Sequence, residues 1–482
     1  MTARHAFPGE RGNLSGNLSL VWRRRSAILP RVSIVALPAG RALATSGTSG
    51  RMRRDRGEQT MSSGSRAYFY GIDLVRFASA LMVACFHIGY SAFGPNSRGA
   101  PLIDGLFTFP AGGVFFWGSV GVQIFFVISG FVIANSANGS TPFRFLRSRM
   151  ERLYPAVWIC ASVTCAVWLV SGAEPFRDVI ANYLHTLTLW PLGEWIDAPY
   201  WTIACEIAFY GLVFILLLGG GFGRLQHFAV GMVIVGAAFW VLRLIVDASG
   251  RDLPPLEFFI TGAGRILPVY YGPFFGLGML MWLWRRAGLT PLGWIAALLA
   301  VLSGLVETLG TGVTLNLLGV APAADLTPGD LAPGDFVRAL VWLAACAVIL
   351  VASGRSAGGG MHPALKRGLR NIGLATYPLY LLHFALGVWI MRLLATNGFP
   401  AWAGFTLALA TVCALSFAVT IYGEPPIRRV VRAAFDRLEP MLPRDRLVSG
   451  MLHRAGGQVQ AGHAGEPADD LRGEARSTLL ER

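Results

Sequence analysis

Charge is what this chain has least of. Charged residues make up 14% of its 482 residues, while apolar residues make up 54% and mean hydropathy is +0.52. Soluble domains carry about a quarter charged residues, so a water-facing globule is excluded for most of the length. Cysteine is sparse as well. The six cysteines (Cys85, Cys160, Cys165, Cys205, Cys346 and Cys413) lie in apolar stretches, with no CxxC and no Cys/His cluster at metal-ligand spacing. They read as buried thiols with neither disulfide nor zinc duty, and separately no permanently bound cofactor is expected. No nucleic-acid motif accompanies the formal charge of +14, which therefore speaks to membrane orientation and not to a nucleic-acid partner. No inverted internal repeat of the kind found in many transporters is visible. The first sixty residues are rich in Arg, Gly and Ser and contain neither a spanning run nor a signal peptide.

Long apolar runs are what the chain does have. They predict an all-α integral membrane protein, a bundle of about ten transmembrane helices near 70–91, 112–134, 154–171, 199–218, 226–246, 265–284, 289–307, 336–353, 374–394 and 401–422. A weaker run at 179–190 reads as a re-entrant or interfacial piece. Loops 135–153, 219–225, 285–288 and 354–373 are rich in Arg, against the single acid Glu151, whereas the alternate connections carry Asp and Glu. Positive residues stay inside, so both termini are expected in the cytoplasm. Three segments follow. Residues 1–67 form a basic, disordered extension, with Met61 reading as a start just before the first span. Residues 68–429 form the membrane domain, and residues 430–482 a polar, disordered tail.

The stretch Gly71 to Tyr90 is apolar yet carries Asp73, Arg76 and His87. Ionisable groups inside a span face a bundle interior and mark a functional path. Eleven residues at about 100° each return Arg76 and His87 to within roughly 20° of one face, about 16 Å apart along the axis. Asp73 and Arg76, three apart, are expected to form an ion pair on that face. Further polar groups recur in GVQIFFVISGF, with Ser129 and Gly130, and in RSRMERLYP, with Arg149 and Arg152 one turn apart. There Pro155 is expected in a first helical turn. PYWTIACEIAFY contains Trp201, Glu206 and Tyr210, ATYPLYLLH contains Thr376, Tyr377, Tyr380 and His383, and YGEPPIRR contains Glu424.

Together these runs resemble the acyltransferase-3 family of integral membrane acyltransferases, which includes O-antigen, exopolysaccharide and nodulation-factor O-acetylases. Its hallmarks are matched by Arg76 and His87 with ten residues between them, Phe125 to Gly130, Arg149–Arg152–Pro155, Trp201 to Tyr210, and Thr376 to His383. Thr stands for the usual Ser at 202 and at 376. The resemblance covers roughly 68–429. It implies a bacterial inner-membrane enzyme that moves an acyl group, most often acetyl, from cytoplasmic acyl-CoA as co-substrate to a hydroxyl of a glycan or glycolipid across the lipid bilayer.

Topology fits that implication. His87 and Glu206 fall in the outer half, and Arg149 and Arg152 at the inner surface, where guanidinium forks suit CoA phosphates. His87 is the expected general base for the acceptor hydroxyl. Glu206 either orients His87 or balances a cation, with a structural pair to Arg76 as the other option. His383 is a helix-bridging hydrogen bonder or a second chemical group, and Ser129 and Gly130 are close-packing residues. A proton-coupled transporter using Arg76, His87 and Glu206 as a relay, or a membrane sensor without chemistry, are the competing functions.

Overall fold

The computed structural model describes residues 68–438 apart from 106–108, 110–111, 250–252, 261–262, 318–332 and 355–360. The expected extension 1–67 and residues 439–482 of the expected tail lie outside the described residues. All regular structure described is helical. In chain order the helices are α1 (Tyr70–Gly89), α2 (Ala100–Ile103), α3 (Gly121–Ala137), α4 (Pro142–Ser171), α5 (Phe176–Thr188), α6 (Trp201–Leu218) and α7 (Leu225–Ser249). They continue with α8 (Pro254–Ile260), α9 (Gly272–Ala287), α10 (Pro291–Leu317), α11 (Pro333–Gly354), α12 (Pro363–Thr396), α13 (Ala401–Ala418) and α14 (Glu424–Leu438). Nine helical segments among the described residues are long and apolar enough to cross a membrane. With backbone bonds closed inside each helix, such segments satisfy their polar groups without water, and the chain is an all-α membrane bundle.

The tenth run differs from its expectation. Residues 265–284 are not one spanning helix. A 3-10 turn at Ala263–Ile266 and an irregular stretch through Tyr271 precede α9, which has 16 residues, or about 24 Å. Every residue from Gly272 to Trp282 is buried, between α3 and α7. Irregular backbone at membrane depth is tolerated where protein covers it, which explains why an apolar window misread this segment. Glycines allow the close approach. A Cβ on Gly278 would overlap the Val127 carbonyl of α3, one on Gly130 the Phe275 carbonyl of α9, and one on Gly272 the Met232 carbonyl of α7.

Two helices run far past the spans expected for them. α4 has 30 residues, starts with Pro142 in its first turn and a Thr141 cap that accepts from the Arg144 N–H, and ends at Gly172 with φ +63°. Pro155 therefore lies inside this helix and not in its first turn. α12 has 34 residues, with Pro378 in its interior. At about 1.5 Å per residue both exceed the roughly 30 Å apolar layer, so their first turns project from the end of the bundle that carries the basic connections. We call this the basic end, and the opposite one the acidic end. α12 is the hub, packing on α1, α4 and α13. α13 passes through a π-helical turn at Val419–Gly423 into α14, which continues beyond residue 429 to Leu438. α14 docks on α4 through Arg147–Asp436 at 2.6 Å and Arg432–Glu151 at 3.2 Å. The 179–190 run is the amphipathic α5, tied to α4 by the Trp158 indole donating to the Leu187 carbonyl at 3.0 Å.

Candidate active site

Three arginines collect toward the basic end. Arg76 projects from the second turn of α1, and Arg149 and Arg152 from the projecting part of α4. All three are half-buried, and among the described residues no carboxylate lies within ion-pair distance of any of them. The expected Asp73–Arg76 ion pair is not made. Asp73 instead accepts from the hydroxyl of Tyr68, five residues earlier, at 2.6 Å. Arg149 lies over the rings of Phe145 and Tyr210, 5.7 and 5.9 Å from their centroids, so its charge is held by aromatic faces.

Above these arginines lies a narrow cavity of about 40 Å³. Its polar lining is Arg76, Ser129, Thr202, Glu206, Thr376, Tyr377 and Tyr380, with Phe125 and Phe126 among its apolar walls. Ser129 donates to Glu206 Oε1 at 2.9 Å. Ser129 is thus a hydrogen-bond partner and not merely a close-packing residue. Thr202 and Thr376 spend their hydroxyls on the carbonyls of Pro199 and Ile372 in their own helical turns, at 3.0 and 3.2 Å. The Tyr377 hydroxyl is buried with no partner among the described residues, which makes it an available donor on the cavity wall. Tyr380 packs its ring edge-on against Phe125, with centroids 5.1 Å apart.

His87 and His383 stand apart from this cavity, toward the acidic end, one turn beyond Tyr380 on α12. His87 Nδ1 lies 2.7 Å from His383 Nε2, and His383 Nδ1 lies 2.9 Å from the Tyr380 carbonyl oxygen. The ring planes differ by 4° and the centroids are 5.0 Å apart. That separation equals the hydrogen bond plus the two ring radii, so the imidazoles meet edge to edge in one plane. His383 is fully buried and His87 only half so. The hydrogen-bond partner of His87 among the described residues is therefore His383, whereas Glu206 is bonded to Ser129.

Two further residues near these groups were not anticipated. Arg265 lies 3.5 Å above the Trp201 ring and donates to the Tyr271 hydroxyl at 3.3 Å. Its place at the margin of an apolar window hid it. Asp197 is buried, accepting from the Ala198 N–H at 2.8 Å and from the Ala385 N–H at 3.1 Å, two residues past His383. Burial pushes its carboxyl up to about 7. The only sequence signal was its position ahead of a Pro-containing helix start, where Asp is a common cap.

The profile of the acyltransferase domain family, type 3, matches residues 69–421. The chain belongs to this acyltransferase family. The matched range includes every cavity residue and both histidines, whereas Tyr68 and α14 fall outside it. The chain is 24% identical over 327 residues to acyltransferase MdmB of Streptomyces mycarofaciens, covering 64% of this chain and 76% of that one. It is 25% identical over 268 residues to nodulation protein 10 of Rhizobium leguminosarum bv. viciae, with 49% and 68% covered. It is 27% identical over 341 residues to exopolysaccharide production protein ExoZ of Rhizobium meliloti (strain 1021), with 66% and 91% covered. No solved structure matches it. As a family member with nine membrane-competent helical segments among its described residues, the chain is a membrane acyltransferase.

Proposed function

We propose that this acyltransferase moves an acyl group, acetyl first among them, from cytoplasmic acyl-CoA to a hydroxyl of an extracytoplasmic or lipid-linked glycan. One observation carries the reading. The same bundle holds guanidinium groups without ion-pair partners among the described residues toward its basic end and a hydrogen-bonded imidazole pair toward its acidic end, with a polar cavity adjoining Arg76. In this reading the basic end faces the cytoplasm. Arg149 and Arg152 hold the CoA phosphates, for which planar forked donors are well suited. Arg76, the Ser129–Glu206 pair and the Tyr377 hydroxyl line the passage of the acyl thioester. His87 removes the proton from the acceptor hydroxyl, since an oxygen nucleophile needs a base at neutral pH. The glycan acceptor follows the names of the relatives, one for exopolysaccharide production and one for nodulation. The cavity at about 40 Å³ admits one or two waters, so donor entry requires its aromatic walls to part.

The test compares O-acetylation of surface glycans by NMR and mass spectrometry in cells with the gene, without it, and with His87→Gln. The proposal expects ester groups only with the wild-type gene. Identical glycans in all three, alongside uptake of an unmodified solute dependent on the gene, would replace it with a transporter.

A further inference from the structure

We infer that His383 fixes the tautomer of His87, so that Nε2 of His87 is the atom that takes the acceptor's proton. The inference rests on the acyl transfer proposed above. A carbonyl oxygen has no proton to give, so His383 Nδ1, 2.9 Å from the Tyr380 carbonyl, carries the hydrogen of that bond. The neutral ring then leaves His383 Nε2 with a lone pair. His87 Nδ1, 2.7 Å away, must donate to it. Only Nε2 of His87 remains to act as a base. One backbone carbonyl in α12 therefore sets the proton positions on both rings.

The geometry suits this chain of bonds. With ring planes 4° apart, the His87 N–H lies in the plane of the His383 lone pair, where a hydrogen bond is strongest. His383 is completely buried, so solvent offers its Nε2 no substitute donor. Asp197, accepting from the Ala385 N–H, anchors the following turn of α12 and limits how far His383 can drift.

During transfer the hydroxyl oxygen attacks the thioester carbon while its proton passes to His87 Nε2. The carbon–sulfur bond then breaks, and the CoA sulfur leaves with that proton, which restores the lone pair on Nε2. While His87 is cationic, its Nδ1–H bond to His383 is charge-assisted and stabilises that state without changing the protonation of His383. His383 touches no reacting atom in this scheme and is a positioning residue.

The experiment uses full-length protein in lipid nanodiscs with acetyl-CoA and a glycan acceptor. His383→Leu removes the acceptor nitrogen, whereas His383→Gln offers an amide oxygen close to the position of Nε2. We expect His383→Leu to lower kcat by about 10²-fold or more with KM for acetyl-CoA unchanged, and His383→Gln to recover at least about tenfold of that loss. Independently, 15N NMR of histidine-labelled wild-type protein reads the His87 tautomer without turnover, with the signal assigned by its loss in His87→Asn. A neutral His87 protonated at Nδ1 is expected. Full turnover by His383→Leu, a folded His383→Gln as slow as the leucine variant, or a neutral His87 protonated at Nε2 would each overturn the assignment. A wild-type protein inert toward acetyl-CoA would remove the proposed reaction, and the NMR result would still decide the tautomer.

Discussion

Ser129 donates a hydrogen bond to Glu206 at 2.9 Å, joining α3 to α6 in the wall of the cavity that Arg76 also lines. A carboxylate at this depth depends on such donors, because water is scarce there. Ser129→Ala should leave Glu206 one donor short. About 1–3 kcal/mol of stability should be lost, together with part of the acyl-transfer rate, read by thermal unfolding in detergent and by turnover. Glu206→Gln keeps the size and should retain more stability than Glu206→Ala. Equal stability of Ser129→Ala and wild type would mean the bond contributes nothing to the site.

The arginines on the projecting part of α4 should divide by partner. Arg149→Ala and Arg152→Ala, with no ion pair to lose, should each weaken acetyl-CoA binding about tenfold or more, since a charge-assisted hydrogen bond is worth roughly 1.5–3 kcal/mol. Arg147 already serves Glu151 and Asp436, so Arg147→Ala should loosen α14 while leaving the affinity close to wild type. Titration with a fluorescent acyl-CoA separates these outcomes, and unchanged affinity in both Arg149 and Arg152 variants would reduce them to orientation signals.

Packing of the short central helix is vulnerable at one atom. In Gly278→Ala the new methyl would overlap the Val127 carbonyl, a backbone group that cannot move aside. A loss of about 1–3 kcal/mol or more is expected from such overpacking. Gly211→Ala, where a Cβ meets nothing within 4 Å, is the control. Monodispersity after extraction and melting temperature should fall for Gly278→Ala alone.

Asp197 makes stability depend on pH. Its carboxyl is pushed up to about 7 by burial, against about 3.9 when unfolded. A raised pKa means that the folded protein holds a proton that the unfolded chain has released. The stabilising contribution is therefore complete below about pH 4, declines by about 1.4 kcal/mol per pH unit toward pH 7, and is gone above it. The difference in melting temperature between wild type and Asp197→Asn should accordingly shift against wild type from pH 5 to pH 7 and level off by pH 8. A pH-independent difference would show that the two backbone N–H donors keep Asp197 ionised throughout.

Orientation can be read at the end of α14. A reporter fused after Leu438 should be active in the cytoplasm, in line with the Arg-rich connections. Activity confined to the periplasm would invert the proposed donor and acceptor sides together.

Most of the helices were legible because a bilayer demands long apolar runs, and those runs survive in one dimension. The exceptions have physical causes. The window at 265–284 merged an irregular stretch with α9 because protein-buried loops, here with Tyr270 and Tyr271, are as apolar as lipid-facing helix. The starts of α4 and α12 were missed because Arg-rich turns beyond the bilayer lose hydropathy without losing helicity. Of the candidate site, Arg76, Glu206, Ser129 and Tyr380 lie on one cavity, while His87 and His383 pair farther along α1 and α12, the same helices that carry Arg76 and Tyr380, so membership was legible while grouping was not.

By itself the sequence determined the helical membrane body, the family and the residue types available for chemistry, because these follow from hydropathy, charge and local spacing along one chain. Tertiary structure decided which of those residues meet. His87 and His383 are 296 positions apart, and their 2.7 Å bond exists only because α1 docks on α12 at that register. The release of Arg76 from Asp73, the pairing of Glu206 with Ser129, and the tie from Asp197 to the turn after His383 are likewise set by how helices cross. Hydrogen bonds act over about 3 Å, a scale on which side-chain direction and helix packing outweigh any pattern readable along the chain.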